Sequence, residues 1–294
     1  MLLVVSLKLL GLSYEKVGSL LKLLFALEIT EAAMLHCVKS VASAFGPRYE
    51  ELREELRKER SIHGDETGWP MKGRNHWLWA FVGKWSVLYE VAASRGKDVP
   101  QRVLGDYPGT VISDSWPAWN HVGARWQRCL VHYLRELKET IEYKSPGEAF
   151  FPFAKRLRRI LGDAIRVAKK PDISQEEKLR AKARLERRVD ALIASYSSPS
   201  AGREKNCARF VKRLKREKGM LFTFLEEEGI DWNNNAAERA LRPSVVIRKM
   251  TYGNQSEEGA RAHAVLMSVK ETCNLRGENF FDYSMGYLDQ ASRR

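Results

Sequence analysis

The chain has 294 residues, with 50 Lys and Arg against 37 Asp and Glu, a net charge of +13 and a sequence pI near 9.6. That length suffices for a large core and one or two domains, and that charge favours a polyanionic partner, because Lys and Arg that neutralise phosphates drive sequence-independent nucleic-acid binding. Four scattered cysteines (Cys37, Cys129, Cys207, Cys273) form no C-x-x-C pair, which argues against a disulfide framework or zinc knuckle and fits a reducing cytoplasm.

Residues 1–60 read as helices. The apolar run at 2–10 contains Lys8 and is followed by no small-x-small site, so it lacks the order of a signal peptide. No stretch is long enough to span a bilayer. Ser13 or Gly11 opens a second helix and Thr30, with Glu31 behind it, caps a third. Pro47 opens a charged segment at 48–60 that reads as a solvated helix. The chain starts inside a hydrophobic helix, so an upstream segment is expected.

From residue 61 the period changes to two. Segments 62–70, 77–82 and 86–91 predict three consecutive antiparallel strands. A short helix at 97–104 and a buried strand at 110–114 follow. Residues 124–131 are a fifth strand or the run-in to a helix at 132–142. The order βββαβα predicts a mixed α/β, ribonuclease-H-like fold. Residues 145–230 interrupt it with cationic helices holding 21 basic and 12 acidic residues, a net of +9. They read as an inserted helical subdomain, with a loop marked by 195–200, Pro199 and Gly202. The expected organisation is therefore a helical region at 1–60, a core at 61–144, the basic insertion at 145–230, and the rest of the core with a tail at 231–294.

Three acids stand in contexts suited to holding a carboxylate still: Asp65 in His63-Gly64-Asp65-Glu66, Asp114 after Val111-Ile112-Ser113, and Glu238 after Asn233-Asn234-Asn235. Two aspartates on strands and a glutamate on a helix are the parts of a two-metal phosphoryl-transfer site, in which ions about 4 Å apart activate the attacking oxygen and stabilise the leaving one. Such ions, Mg²⁺ with Mn²⁺ as a substitute, take hard oxygen ligands. In an extended segment Asp65 and Glu66 point to opposite sides, and Asp65 shares its side with His63. Each acid has a plainer role open to it. Asp65 and Glu66 make a solvated pair, Asp114 caps a helix after Pro117, and Glu238 is a first-turn glutamate paired with Arg242. Asp231 is the first substitute for Glu238.

These residues also carry a resemblance. His63-Gly64-Asp65-Glu66-Thr67 with Trp77-Leu78-Trp79, Val111-Ile112-Ser113-Asp114 with Cys129-Leu130-Val131-His132, and Asn234-Asn235-Ala236-Ala237-Glu238-Arg239 with Gly253-Asn254-Gln255-Ser256 resemble the three blocks of insertion-sequence 66 transposases over roughly residues 30–280. The resemblance implies an Asp-Asp-Glu transposase with Asp65, Asp114 and Glu238 as metal ligands. It acts on double-stranded DNA, at element ends and target, as a dimer or larger assembly, with accessory proteins and no membrane. The family's N-terminal DNA-binding and zinc-binding leader is not evident here, so the chain reads as a shortened copy or half of a split element. Arg239, Arg242, Arg248 and Lys249 around the glutamate suit phosphate contacts, or pair within the chain. Lys155, Arg156, Arg158, Arg159, Lys212, Arg213, Lys215 and Arg216 are expected in solvent, facing DNA, because burying unpaired cations is prohibitive. Trp116 and Trp119 stack on an unpaired base or pack in the core. Cys129 and His132 are too few for a metal and read as support. Two other readings stay open: a ribonuclease-H-like nuclease without strand transfer, and a non-catalytic DNA-binding relic.

Overall fold

The computed structural model describes residues 1–144, 146–197 and 204–292. It opens with helices α1 (Leu2–Leu9), α2 (Tyr14–Phe25), α3 (Glu31–Ala44) and α4 (Gly46–Arg57). Strands β1 (Ser61–Gly68), β2 (Trp77–Val82) and β3 (Val87–Ala92) follow, then α5 (Asp98–Leu104). Strands β4 (Thr110–Ser113) and β5 (Arg125–Arg128) stand either side of a 3-10 turn at Pro117–His121 and lead into α6 (Leu130–Tyr143). The long helices α7 (Phe150–Lys169), α8 (Gln175–Tyr196) and α9 (Lys205–Glu217) come next. Last are α10 (Asn235–Thr251), α11 (Glu257–Arg276) and α12 (Phe280–Ser292). The chain is mixed α/β and forms two compact units.

The first unit holds residues 1–109, 117–123 and 235–294. Its helix starts follow the caps expected from sequence: the Ser13 and Thr30 side chains accept the N–H groups of Lys16 and Ala33, each at 3.2 Å. Helix α4 departs from the solvated reading. Tyr49, Leu52 and Leu56 recur at helical spacing and are buried, a stripe hidden among the charges, and Arg48 is buried with them on Glu51 and Glu55.

Strands β1, β2 and β3 form an antiparallel meander in which Asp65 pairs with Ala80 and Ala80 with Tyr89, while Glu66 pairs with Trp79 and Trp79 with Glu90. Paired residues share a face and neighbours along a strand alternate. On the Asp65 face, α10 packs across β1 and β2 and α11 across β3. The Tyr89 hydroxyl donates to the Ala240 carbonyl of α10 at 2.5 Å. Ser268 and Thr272 of α11 accept the N–H groups of Tyr89 and Val87 at 2.8 and 3.0 Å, closing the outer edge of β3. On the Glu66 face the Trp119 indole is fully buried, edge-on to Trp79 and Phe81. Gly64 is required there, because a Cβ would lie 2.3 Å from that indole.

The second unit holds residues 110–116 and 124–234. Strands β4 and β5 pair in parallel, from Thr110 with Arg125 to Ser113 with Arg128. The fifth strand and the helix are thus both present, with α6 starting two residues earlier than expected. Ile112, Leu130, Tyr133 and Leu137 share one core with Phe150, Leu157, Leu185, Val189, Phe210 and Leu214. The cationic segment is therefore not set apart from β4 and α6. The apolar stripes of its helices and the buried side of α6 need each other as cover. Helix α8 begins with a capping box between Ser174 and Glu177. Of the expected loop, Ser195 and Tyr196 instead belong to the last turn of α8, while Pro199 and Gly202 lie outside the described residues. Among the described residues no helix is long and apolar enough to cross a membrane, and the four cysteines are unbridged.

Candidate active site

Two of the three acids sit in the first unit. Asp65 is partly buried in β1, and its Oδ1 accepts the backbone N–H of Glu66 at 2.9 Å. Its side chain belongs to the face that α10 covers, with His63 and Thr67 two residues either way. Glu66 points the other way, as the alternation predicts. It is buried, pairs with Arg95 at 3.0 Å and accepts the Trp119 indole N–H at 3.0 Å.

Glu238 lies in the first turn of α10, partly buried, where the helix N-terminus favours a carboxylate. Ala240, two residues on, is tied to Tyr89 in the cross-strand row of Asp65. Asp65 and Glu238 therefore stand on the same side of the meander. The other end of α10 is fixed to the end of β1: Arg248 Nη1 donates to Thr67 Oγ1 at 3.1 Å and to the Gly68 carbonyl. The following loop adds Trp69 Nε1 donating to Asn254 Oδ1 at 2.8 Å, and Asn254 N–H donating to the Pro70 carbonyl at 3.2 Å. Helix and strand thus run side by side.

Asp114 belongs to the second unit, directly after β4. Its Oδ1 accepts the N–H of Trp116 at 2.8 Å, so one oxygen shapes the turn before Pro117. Behind it lies a buried polar network. Arg128, with no exposed surface, donates to Ser113 Oγ at 2.8 Å and to the Asp114 carbonyl at 2.9 Å. Ser115 donates to Glu217, which is also fully buried and accepts from Tyr133 at 2.7 Å, Arg213 at 3.1 Å and Arg216. Burial alone would raise the Glu217 pKa, but the donors Arg216, Tyr133, Arg213 and Ser115 hold it below the usual carboxylate range. Burial pushes the Arg128 pKa down, against the pull of Glu217. Sequence reasoning missed both residues. The one available signal was that Glu217 is the sole acid in the cationic run 205–218.

The remaining candidates divide. Lys155, Arg156, Arg158, Arg159, Lys212, Lys215, Arg216, Arg239, Arg242 and Lys249 are exposed, although Arg216 is paired with Glu217. Arg213 does not face solvent as expected. It is bound to Glu136 and Glu217 and lies 3.7 Å over the Tyr133 ring, because two acids of this unit need it. Arg248 is likewise engaged by β1, and not by Glu257 or Glu258, the latter pairing with Lys39. Trp119 is core and reaches no base, while Trp116 and His132 are partly buried. Cys129 is buried and its sulfur accepts the Asn234 N–H at 3.2 Å, a packing role. Among the described residues no group of three or more His, Cys, Asp and Glu is drawn together as a ready metal cage.

Comparison with known proteins adds the family. The chain is 23% identical over 263 residues to the uncharacterized protein y4qI of Sinorhizobium fredii, covering 79% of this chain and 48% of that protein. It is 20% identical over 282 residues to y4hP of the same organism, covering 85% and 51%. A third relative there, y4jO, is 33% identical over 75 residues, 26% of this chain and 23% of that protein. The chain thus spans about half the length of the first two. The family model described as "Transposase IS66 family" matches residues 4–262, all three acidic blocks included, and this chain belongs to that family.

Proposed function

We propose that this chain carries the catalytic machinery of an Asp-Asp-Glu DNA transposase on a ribonuclease-H-like core, with Asp65, Asp114 and Glu238 as ligands of divalent metal ions. The observation that carries the reading is the row Asp65–Ala80–Tyr89 with the start of α10 tied above it, which supports a joint role for Asp65 and Glu238. Family membership supports adding Asp114, which sits at a strand end in its own block.

The donor set fits such ions by type. Three carboxylates are hard oxygen ligands, and Mg²⁺ keeps several waters and so asks for few protein groups. When bound, a pair of such ions activates the attacking oxygen and stabilises the leaving one. The chain's own groups do the rest. Asp65 and Asp114, on short side chains anchored by backbone contacts, fix position. Glu238, with one more methylene, gives reach. His63 beside Asp65 orients the attacking group. Arg239, Arg242 and Lys249, exposed on α10, hold phosphates next to the cut. The reaction proposed is hydrolysis at the element's ends, then attack of the freed 3′-hydroxyl on target DNA, carried out by a dimer or larger assembly.

The test is a cleavage and joining assay in Mg²⁺ or Mn²⁺ on DNA bearing the element's ends. Asp65→Asn, Asp114→Asn and Glu238→Gln should each abolish cleavage and leave duplex binding nearly unchanged, since affinity comes from Lys and Arg. Full activity in Glu238→Gln would send the search for the third ligand to Asp231. Cleavage with no joining of pre-cut ends to a target plasmid would leave a nuclease in place of a transposase.

A further inference from the structure

The cations of the second unit are not equivalent. On α9 the three arginines are spent inside the protein, Arg209 and Arg213 on Glu136, Arg213 and Arg216 on Glu217, while its lysines Lys205, Lys212 and Lys215 are exposed. On α8, Arg180 pairs with Glu176, Lys182 with Glu186 and Glu226, and Arg188 with Asp163. Helix α7 differs. Phe153, Ala154, Leu157, Ile160 and Leu161 turn to the core, which leaves Lys155, Arg156, Arg158 and Arg159 exposed. Among the described residues none of these four is within an ion pair's reach of a carboxylate; the acid of α7 is Asp163, on Arg166 and Arg188.

Two of these arginines open onto a concavity. A groove of about 370 Å³ between α7 and α8 is lined by Arg156, Arg159, Ile160 and Asp163 from one helix and Arg188 and Ala191 from the other. Asp163 Oδ2 accepts from Arg188 Nη1 at 2.6 Å and so sets the orientation of that guanidinium. Asp163 stays ionised below the usual carboxylate range: burial opposes this, and Arg188 and Arg166 outweigh it. Two guanidinium forks with no acid partner among the described residues, Arg156 and Arg159, face a third, Arg188, that keeps donors beyond the one given to Asp163, and guanidinium groups bind phosphate oxygens through paired N–H donors. No aromatic side chain lines the groove. It therefore has no platform for unpaired bases, which single-strand binding uses.

We propose that the groove between α7 and α8 seats the phosphate backbone of duplex DNA, independently of sequence, with Arg156 and Arg159 on one wall and Arg188 on the other. The proposal rests on the DNA reading above and narrows it: Arg213 and Arg216 take no part.

The test is fluorescence anisotropy of a labelled duplex of arbitrary sequence, in EDTA, over a salt series. Arg156→Ala/Arg159→Ala should weaken binding about tenfold at moderate salt and reduce the slope of log K against log salt by about 2, since each lost phosphate contact removes about 0.9. Arg156→Lys/Arg159→Lys should recover most of the slope and only part of the affinity, because the charge returns without the fork. Lys212→Ala/Lys215→Ala removes equal charge from exposed lysines that do not line the groove and, if the groove is the seat, should leave the slope within about 0.5 of the parent, well under one contact. Equal slope losses in the two alanine pairs would reduce the effect to net charge and overturn the groove. Tighter binding of single strands than of duplex, with the same sensitivity to Arg156 and Arg159, would overturn the duplex assignment. Melting curves of these surface variants should match the parent. Because binding is read without metal, failure of divalent-ion-dependent cleavage would strike the catalytic reading and leave the groove standing. Unchanged binding by Arg156→Ala/Arg159→Ala beside intact cleavage would strike the groove alone.

Discussion

Gly253 sits where only glycine fits, and for two separate reasons. Its φ is +94°, and a Cβ there would lie 2.0 Å from the Pro70 carbonyl oxygen. Gly277 has a φ of +72° with nothing within 4 Å, so it carries the backbone reason alone. Gly277→Ala should therefore cost about 1–2 kcal/mol, the ordinary left-handed penalty. Gly253→Ala should cost clearly more, because the loop must also move off Pro70 and loosen the Asn254 contacts. Melting temperatures of the two variants check this, and equal losses would mean that the close approach is unimportant. Other single residues were harder to foresee. The sequence made Arg213 and Arg248 look like surface phosphate ligands. Arg213 has one local partner, Glu217 four residues on, but its other acid partner Glu136 stands 77 residues away and Thr67, the partner of Arg248, 181 away, and no local pattern encodes such distances. For Glu217 the pairs with Arg213 and Arg216 are local, but its burial beneath Ser115 and Tyr133, 102 and 84 residues off, is not.

At the level of elements much more was legible. Segment 77–82, expected as a strand, is β2 to the residue, and the flanking strands and α5 lie within a residue or two of their expected ends. The caps Ser13 and Thr30 are local chemistry and appear as such. Strands β2 and β3, dense in aromatic and β-branched residues, carry a period that can be read directly. Which helix lies on which face is set by packing between distant segments, and only the cross-strand register reveals it. The tie between α10 and β1 is of this kind, and it yields a prediction. Arg248→Ala removes a charged donor to Thr67 and Gly68, so it should destabilise the first unit by about 1.5–3 kcal/mol, the range for hydrogen bonds to charged groups. Arg248→Lys should recover part of that, a point charge replacing a fork. If the tie also sets how Glu238 stands against Asp65, both variants should need more Mg²⁺ for half-maximal cleavage. A shift in melting temperature with no change in metal requirement would confine Arg248 to stability.

On the scale of the whole molecule, the two units carry ionisable groups of opposite kind, and acid should act on them in different windows. In the first unit His263 is stacked on Trp69, with ring centroids 4.6 Å apart, and shares a hydrogen bond between its Nε2 and Ser244 at 3.0 Å. Burial pushes its pKa down to about 4 from 6.5. The folded state thus resists a proton that the unfolded state accepts, and stability declines as pH falls from 6.5 towards 4. The loss from this group is at most about 3.4 kcal/mol, at 1.36 kcal/mol per pKa unit, and the side chain's partial exposure to a neighbouring cavity lowers it. In the second unit Glu217 is held below its ordinary 4.5. Its contribution is complete above 4.5 and is lost only as pH falls through its lower folded value. Denaturant melts taken at steps from pH 7.5 to 3.5 should therefore show a first decline that His263→Gln flattens and Glu217→Gln leaves alone. Glu217→Gln should lower stability at neutral pH, because the charges of Arg213 and Arg216 lose their buried counterpart, and it should remove part of the decline below pH 4.5. The slope is the quantity to read, since each substitution also shifts the baseline. A His263→Gln protein with the parent's slope between pH 6.5 and 4 would show that the imidazole is protonated at no cost inside the fold, against its burial and stacking on Trp69.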